Sequence, residues 1–309
     1  MTKTIYIARP RLDCSFKFSP VPDVVGPPRN PVVAEFGAFL DQLESFHRGL
    51  GDDVIVETRA LWQFELAEMQ ARSADCDRVY FAHRLRPQFP IGDNAFYYKN
   101  APLSGYQTVD PAGWGASLSF LPFPFEPSEE ADLLFARLRT RIGRNESTLE
   151  QPPAGPRPTP GPYDLFICQL PHDETIKYHS ECGVADALAA VLAYCEGKGR
   201  TLVVKGHPAN PNSMAPLRAL TLASPSGIWV DDISIHSCIA DAEHVFAVNS
   251  GSGMEVLLHD RPLVRFGRGE YDAVVPFAEP NVLSIARAVD HPHDTRLRAA
   301  FIHGYLARC

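Results

Sequence analysis

The stretch that decides the fold is Val203-Val204-Lys205-Gly206-His207-Pro208, in which an apolar run stops at a basic, polar loop. The same change recurs about forty residues later in Phe246-Ala247-Val248-Asn249-Ser250-Gly251-Ser252-Gly253-Met254-Glu255. Each stretch predicts a buried parallel strand that opens into a loop, and open α/β sheets bind ligands at that edge. The first loop offers Lys205 and His207, and the second offers serine hydroxyls and a helix N-terminus. Together they predict a site for the phosphate or carboxylate of a nucleotide-activated small molecule.

Composition limits the class of protein. The chain has 309 residues, of which 45% are apolar, which is enough for two domain cores. No segment approaches the ~20 apolar residues of a membrane span, and the apolar N-terminal run is too short for a signal peptide. Seven scattered cysteines without a CxxC pair are typical of reduced thiols in the cytoplasm, not of a disulfide framework or a zinc site. The net charge of −8 argues against nucleic acid as a partner.

A proline-rich segment predicts the domain boundary. The twelve residues Gln151–Pro162 include six prolines and two glycines, a composition that neither a helix nor a strand interior tolerates. We therefore predict an N-terminal domain over 1–150, an extended linker over 151–162 and a C-terminal domain over 163–309.

Hydrophobic periodicity predicts an α/β fold on both sides of this linker. In the C-terminal part, predicted strands alternate with predicted helices, which is typical of a Rossmann-like parallel sheet. The strands are 165–169, 201–205, 228–230, 244–249 and 262–266, and the helices are 184–197, 215–223, 234–240 and 253–259. The N-terminal part is less regular but compatible with the same class, with strands at 4–8 and 78–82 and helices at 31–50, 61–72 and 129–142.

The loop after the first C-terminal strand carries candidate catalytic groups, because Gln169, His172, Asp173 and Glu174 follow one another closely. A carboxylate at this edge of a sheet can act as a nucleophile or base at an anomeric carbon. The alternative is that Asp173 caps the segment that follows, a common role of aspartate. Spacing alone leaves both interpretations open.

The two opening motifs also allow two interpretations each. Lys205 and His207 are potential cationic donors to a phosphate, whereas His207 beside a proline is otherwise only a turn residue. Ser250 and Ser252 either cap the following helix or bind an anion, and both roles use the same main-chain N–H groups. Glu255 is favoured in the first helical turn by the helix dipole, and it could also accept hydrogen bonds from both ribose hydroxyls.

These residues carry a family resemblance. Five short motifs, in this order, resemble the bacterial capsule-polysaccharide β-Kdo transferases, which transfer 3-deoxy-D-manno-oct-2-ulosonic acid (Kdo), and related retaining enzymes of O-antigen assembly. The motifs are Gln169-x-x-x-Asp173, Lys205-x-His207-Pro208, Ser250-x-Ser252-x-x-Glu255, Leu257-Leu258-His259-Asp260-Arg261-Pro262-Leu263-Val264 and Gly267-x-x-x-Tyr271. The resemblance covers about residues 165–275, and the N-terminal half contributes only Asp110-Pro111-x-Gly113-Trp114-Gly115. The segment after Tyr271 lacks the Gly-Trp-Gly run of the capsule enzymes, which leaves the acceptor open.

The resemblance implies a GT-B architecture, in which two Rossmann-like domains face each other across a cleft and the C-terminal one binds the donor CMP-Kdo. Lysine, histidine and serine side chains would hold the phosphate and the sugar carboxylate, and the glutamate would hold the ribose. The implied substrate-binding residues are Gln169, Lys205, His207, Ser250, Gly251, Ser252, Glu255 and Tyr271.

The resemblance also implies a retaining double displacement with Asp173 as nucleophile, CMP as leaving group and His207 assisting its departure. Asp110 is the candidate base for the acceptor hydroxyl. No metal ion or cofactor is expected, because fixed cations can neutralise the departing phosphate. The predicted C-terminal domain has no Asp-x-Asp metal motif, and we interpret Asp231-Asp232 as polar residues of a loop.

Alternatives from other classes stay open at this point. They are a transferase for another nonulosonic acid of the sialic-acid type, a nucleotide-sugar epimerase, and a non-catalytic sugar-nucleotide-binding subunit. The expected partners are a nucleotide-sugar donor and a saccharide or glycolipid acceptor. The expected location is the cytoplasm, with peripheral association with membrane-bound assembly machinery at the inner face of the bacterial inner membrane.

Overall fold

The computed structural model describes residues 2–11, 31–147, 151–208 and 211–309. It divides into two compact units, Met1–Leu121 with Arg308–Cys309, and Pro122–Ala307. Each unit contains one five-stranded sheet with helices packed on it. The predicted α/β class with two Rossmann-like domains is therefore confirmed. Among the described residues, no helix is both long enough and apolar enough to cross a bilayer.

Unit 1 has a mostly parallel sheet in the order β2-β1-β3-β4-β5, with only β5 antiparallel. Its elements are β1 (Thr4–Pro10), α1 (Pro31–Gly49), β2 (Asp53–Arg59), α2 (Leu66–Asp75), β3 (Arg78–Ala82), β4 (Ala95–Asn100) and β5 (Gln107–Asp110). The strands predicted at 4–8 and 78–82 and the helix at 31–50 are confirmed. Sequence reasoning missed β2, β4 and β5; the edge strand β2 is more polar than apolar, and only its Val54 is buried.

The helix predicted over 61–72 is interrupted in the structure. A short 3₁₀ turn, Leu61–Gln63, precedes α2, and Phe64 and Glu65 between them are extended. The extended backbone places the Phe64 ring in the core of unit 1, edge-on to Phe81 at 5.7 Å. Burial of this ring outweighs the weak helical preference of the segment.

Unit 2 has an all-parallel sheet in the order β10-β9-β6-β7-β8. Its elements are α3 (Glu129–Gly143), β6 (Tyr163–Ile167), α4 (Glu174–His179), α5 (Val184–Lys198), β7 (Thr201–Lys205), α6 (Pro211–Ala223), β8 (Gly227–Val230), α7 (Ile235–Ala240), β9 (Val245–Ala247), α8 (Ser252–His259), β10 (Leu263–Arg265), α9 (Val282–Val289) and α10 (Thr295–Leu306). All five residues of the central strand β6 are buried, as expected for a parallel strand covered on both faces. The predicted alternation of strands and helices is confirmed.

The boundary between the units falls earlier in the chain than the proline-rich segment. The predicted N-terminal domain extends to residue 150, whereas the structure assigns residues from 122 onward to unit 2. Phe123 stacks on Phe301 of α10 at 5.4 Å, and Phe125 meets the same ring edge-on. These aromatic contacts hold the chain before α3 in unit 2. The segment 151–162 contains neither a helix nor a strand, and Gln151 accepts a hydrogen bond from the Ile235 main chain at the start of α7.

Candidate functional site

The loops that follow the strands of unit 2 meet at one edge of its sheet, because all five strands are parallel. Most of the substrate-binding residues predicted from the sequence lie in these loops or at their margins. Gln169 and Asp173 follow β6, Lys205 ends β7, and His207 follows it. Ser250, Gly251 and Ser252 lie between β9 and α8, and Tyr271 follows β10.

Gln169 connects the loop after β6 to the loop after β9. Its side chain is buried, donates to Asn249 Oδ1 at 2.9 Å and accepts from the Asn249 main-chain N–H at 2.9 Å. Asn249 donates in turn to the carbonyls of Thr175 and Arg268, at 2.9 and 3.2 Å. The structure therefore gives Gln169 a positioning role, since its amide is used to hold two site loops together.

Asp173 is the N-cap of α4, so the capping alternative is confirmed. Its Oδ1 accepts from the main-chain N–H of Thr175 at 2.9 Å and from the Thr175 hydroxyl at 3.0 Å. The residue is partly exposed. Capping is compatible with the predicted role of Asp173 as a nucleophile, because both hydrogen bonds are accepted by one oxygen and leave the other oxygen of the carboxylate for the substrate.

Lys205 is buried at the end of β7, and its ammonium donates to the Asp231 carbonyl at 2.7 Å. Burial lowers the pKa of this amine, while the negative charges of Asp231 and Asp232 act in the opposite direction. The side chain thus reaches toward the loop after β8. The sequence had grouped Lys205 instead with the loop after β9, which contains Ser250 and Ser252.

His207 is partly buried in the loop after β7. Burial lowers the pKa of its imidazole below the usual 6.5, while the charge of Asp173 raises it and that of Lys205 lowers it. His207 therefore lies within electrostatic range of both Asp173 and Lys205. Lys205 and His207 stay predicted donors to a phosphate.

Tyr271 supports the serine loop from below. The side chain is fully buried, and its hydroxyl donates to the Ser250 carbonyl at 2.8 Å. A Cβ on Gly253 would lie 2.4 Å from Tyr271 Cζ, so only glycine allows the helix to approach the ring this closely. Since the ring has no exposed surface, the structure assigns Tyr271 to support of the loop in place of the predicted substrate contact.

The first turn of α8 is capped by the loop that precedes it. Gly251 is the N-cap and has no side-chain cap of its own, while Ser250 Oγ accepts from the Ser252 N–H at 3.3 Å. Gly251 and Ser252 are partly exposed, and Glu255 is buried in the first turn. The positive end of the helix dipole thus lies at the carboxyl edge of the sheet, where it favours an anion.

Replacing Gly253 by alanine is expected to destabilise the protein by about 1–3 kcal/mol, the usual cost of overpacking a core. The new methyl group would collide with the buried Tyr271 ring, which has no room to move aside. Urea denaturation measures the change in the free energy of unfolding. Gly197→Ala is the matched control, because this exposed glycine near the end of α5 has nothing within 4 Å of its Cβ position. Alanine is the better helix former there, so the control should be neutral or more stable. An equal effect of both variants would contradict the packing argument.

Asp110, the predicted base, is a buried residue of unit 1. Its carboxylate accepts from the Ala112 N–H at 2.7 Å and from the Ser119 N–H and hydroxyl at 2.9 and 2.7 Å. These three bonds fix the turn between residues 110 and 119. The geometry is that of a structural carboxylate and gives no support to a proton-accepting role.

The described residues contain one group of three possible metal ligands, Asp164, Glu243 and His244. Asp164 lies near the amino end of β6, whereas the candidate site lies at the carboxyl edge of the sheet. Its oxygens are 2.5 and 2.7 Å from nitrogens of Arg200 and 2.8 Å from His244 Nδ1, and Arg200 also pairs with Glu243. A guanidinium already neutralises these carboxylates, so we interpret the group as an ion-pair cluster.

Sequence reasoning missed several residues that build the site. Asn249 and Thr175 hold the loops after β6 and β9 together, and Trp229 bonds to Asp231 at 2.7 Å beside Gly206. A Cβ on Gly206 would lie 2.2 Å from Asp231 Oδ1, which explains the glycine of the Lys205 motif. The signal for Asn249 was present, since a polar amide ends the apolar run that precedes Ser250.

Two comparisons find similar proteins. The family model for capsule polysaccharide biosynthesis proteins matches residues 134–307. Among solved structures, the chain is similar to a β-Kdo 2,7 transferase, KpsC of Thermosulfurimonas dismutans, with a TM-score of 0.53 and 14% identity, covering 97% of this chain and 90% of that one. It is also similar to the β-Kdo 2,4 transferase of the same organism, with a TM-score of 0.52 and 15% identity, covering 84% and 85%. No curated protein matches the sequence.

The two structural similarities establish a shared fold, since their sequence identities are low. The family model covers more than half of the chain and includes every element of unit 2 from β6 to α10, and therefore the whole carboxyl edge described above. The chain belongs to the family of capsule polysaccharide biosynthesis proteins.

Proposed function

We propose that the protein is a glycosyltransferase of capsule polysaccharide synthesis that moves Kdo from CMP-Kdo to a saccharide acceptor with retention of configuration. The observation that supports it most directly is that His207 lies within electrostatic range of both Asp173 and Lys205 at the carboxyl edge of unit 2. The start of α8, at the same edge, adds the positive end of its helix dipole, which favours an anion. Membership in the family supports a role in capsule polysaccharide synthesis. A carboxylate beside potential phosphate-binding groups supports transfer at an anomeric carbon.

In the first proposed step, an oxygen of Asp173 bonds to the anomeric carbon while the bond from that carbon to the phosphate oxygen breaks. The electron pair leaves with CMP. The imidazole N–H of His207 donates to the departing phosphate, and Lys205 adds positive charge beside it. The positive end of the α8 dipole would stabilise the sugar carboxylate or the phosphate.

In the second proposed step, the oxygen of an acceptor hydroxyl attacks the same carbon, and the ester bond to Asp173 breaks. The aspartate regains its negative charge, and the hydroxyl proton passes to a base. Two inversions give net retention. We do not assign this base to Asp110, because three hydrogen bonds already occupy its buried carboxylate.

CMP is expected to bind the protein and to raise its resistance to unfolding by mass action, more strongly than UMP or UDP. Replacing His207 by alanine should weaken CMP binding about tenfold, the magnitude of one hydrogen bond to a charged group. Isothermal calorimetry measures both affinities. His172→Ala is the matched control, because this exposed histidine lies in the loop before Asp173 and should not alter CMP affinity.

The activity itself is tested by CMP release from CMP-Kdo, with and without candidate saccharide acceptors. Turnover that depends on an acceptor supports the transferase. A folded protein that shows no CMP binding at millimolar concentration would remove the proposed donor site. Epimerisation of a UDP-sugar without any action on CMP-Kdo would replace the transferase by an epimerase.

A further inference from the structure

A pocket lies beside the candidate site, at the carboxyl end of β10, the edge strand of unit 2. Its volume is ≈ 570 Å³, within the range of about 300–1,000 Å³ that small-molecule sites occupy. Its lining includes Tyr178, Ser180, Glu181, Arg268, Asp272 and Phe277. None of these side chains takes part in the proposed donor site.

Phe277 is held outward by a fixed backbone. The neighbouring residues Pro276 and Ala278 hydrogen bond to the main chain of Arg265 at 3.1 and 2.8 Å, so this segment extends the edge of the sheet. The Phe277 side chain nevertheless remains 51% exposed. It is the one exposed phenylalanine or tryptophan in the described part of unit 2. Since Phe277 also lines the pocket, it gives the pocket a solvent-exposed apolar surface.

The charges around the ring are mixed. Arg265 lies over one side of Phe277, at 5.4 Å from the ring centroid, and is also paired with Asp272 at 3.2 Å. Arg268 and Glu181 are both exposed and carry opposite charges. The pocket therefore carries charges of both signs and lacks the predominantly positive charge that favours a nucleotide phosphate. It combines aromatic surface with donors and acceptors of hydrogen bonds.

The pocket is connected to the candidate site through the main chain. The Arg268 carbonyl accepts from Asn249 at 3.2 Å, and the Arg268 N–H donates to the His179 carbonyl at 2.7 Å. Asn249 is the residue that Gln169 holds in the loop after β9. A Cβ on Gly267 would lie 3.0 Å from the Ser180 side chain and 3.1 Å from that of Asn249. Residues 267 and 268, which line the pocket, are thus in direct contact with Asn249 of the candidate site.

We propose that this pocket binds a pyranose ring of the acceptor glycan. The apolar C–H face of the sugar packs on Phe277 and Tyr178, and its hydroxyls bond to Arg268, Glu181 and Ser180. Aromatic faces with polar groups at their edges suit a ligand that is apolar on its faces and polar around its rim. The identification of this glycan with the acceptor rests on the proposed transferase function; the binding of a sugar does not.

Saturation-transfer NMR with two probes tests the proposal. The probes are a neutral methyl galactoside and an acidic methyl glycoside of Kdo, each at millimolar concentration. At least one probe should receive saturation at its ring C–H protons, and Phe277→Ala should weaken that binding about tenfold. Phe277→Tyr should retain it. If Arg268 pairs with a sugar carboxylate, Arg268→Ala should weaken binding of the acidic probe only. If Arg268 donates hydrogen bonds to sugar hydroxyls, it should weaken binding of both probes.

Leu222→Ala is the matched control, because Leu222 is an apolar side chain of α6 with a similar exposed fraction, 60%, and does not line the pocket. Absence of saturation transfer to both probes, or equal loss in Phe277→Ala and Leu222→Ala, would overturn the sugar site. Complete displacement of the sugar by CMP would also overturn it, since the pocket would then belong to the donor. CMP affinity of the unaltered protein is measured by calorimetry in a separate experiment. Absence of CMP binding would then contradict the donor site without altering the conclusion about sugar binding.

Discussion

Replacing Asp173 by asparagine is expected to lower turnover of CMP-Kdo on the order of a thousandfold or more, comparable to the loss of other catalytic groups. The affinity for CMP should change little, because a nucleophile contributes mainly in the transition state. Asparagine is also a preferred N-cap, so α4 should keep its first turn and the variant should fold. Steady-state kinetics and CMP calorimetry on the same sample separate the two effects.

Mass spectrometry of the intact protein adds a direct readout for Asp173. Incubation of the unaltered protein with CMP-Kdo, without a good acceptor, should give a Kdo adduct that maps to this residue. Glu174→Gln removes the neighbouring carboxylate of the first turn of α4 and is the matched control, with turnover close to normal. Substantial activity of Asp173→Asn, or an adduct on Glu174, would reassign the nucleophile.

Replacing Asp164 by asparagine is expected to destabilise the protein by about 3 kcal/mol, toward the lower end of the cost of breaking a buried ion pair. Asp164 is fully buried and bonds to both Arg200 and His244, which are partly exposed. Urea denaturation near pH 7 measures the loss. Glu243→Gln is the matched control: the Glu243 side chain is 44% exposed, and such a pair contributes at most about 1 kcal/mol.

The effect of Asp164 should depend on pH in a defined direction. Burial alone would raise the pKa of Asp164, but hydrogen bonds and charges from His244 and Arg200 outweigh it and hold the pKa below the usual 3.8. The ionised carboxylate therefore stabilises the fold above pH 3.8, and this contribution is lost as the pH falls through the lower pKa of the folded state. The difference between the two proteins should shrink near pH 3. A constant difference at both pH values would show that ionisation of Asp164 is not its source.

Local sequence patterns predicted most of unit 2. Buried parallel strands are short apolar runs, so β7 and β9 could be located from residues 201–205 and 244–249 alone. Unit 1 was less predictable, because β2 is a polar edge strand and burial of Phe64 interrupts the predicted helix 61–72. In both cases contacts distant in sequence, which no local pattern records, decided the structure.

The sequence by itself determined the two α/β units, the order of strands and helices in unit 2, and the loops in which the predicted donor-binding residues lie. It could do so because strand ends, caps and glycine turns depend on neighbouring residues. Only the tertiary structure decided what each side chain does within those loops. Gln169 meets Asn249 across 80 residues, and Tyr271 meets Ser250 across 21. Burial, not composition, lowers the pKa of His207 and makes Asp110 a structural carboxylate, because solvent access and hydrogen-bond partners are set by the packing of distant segments.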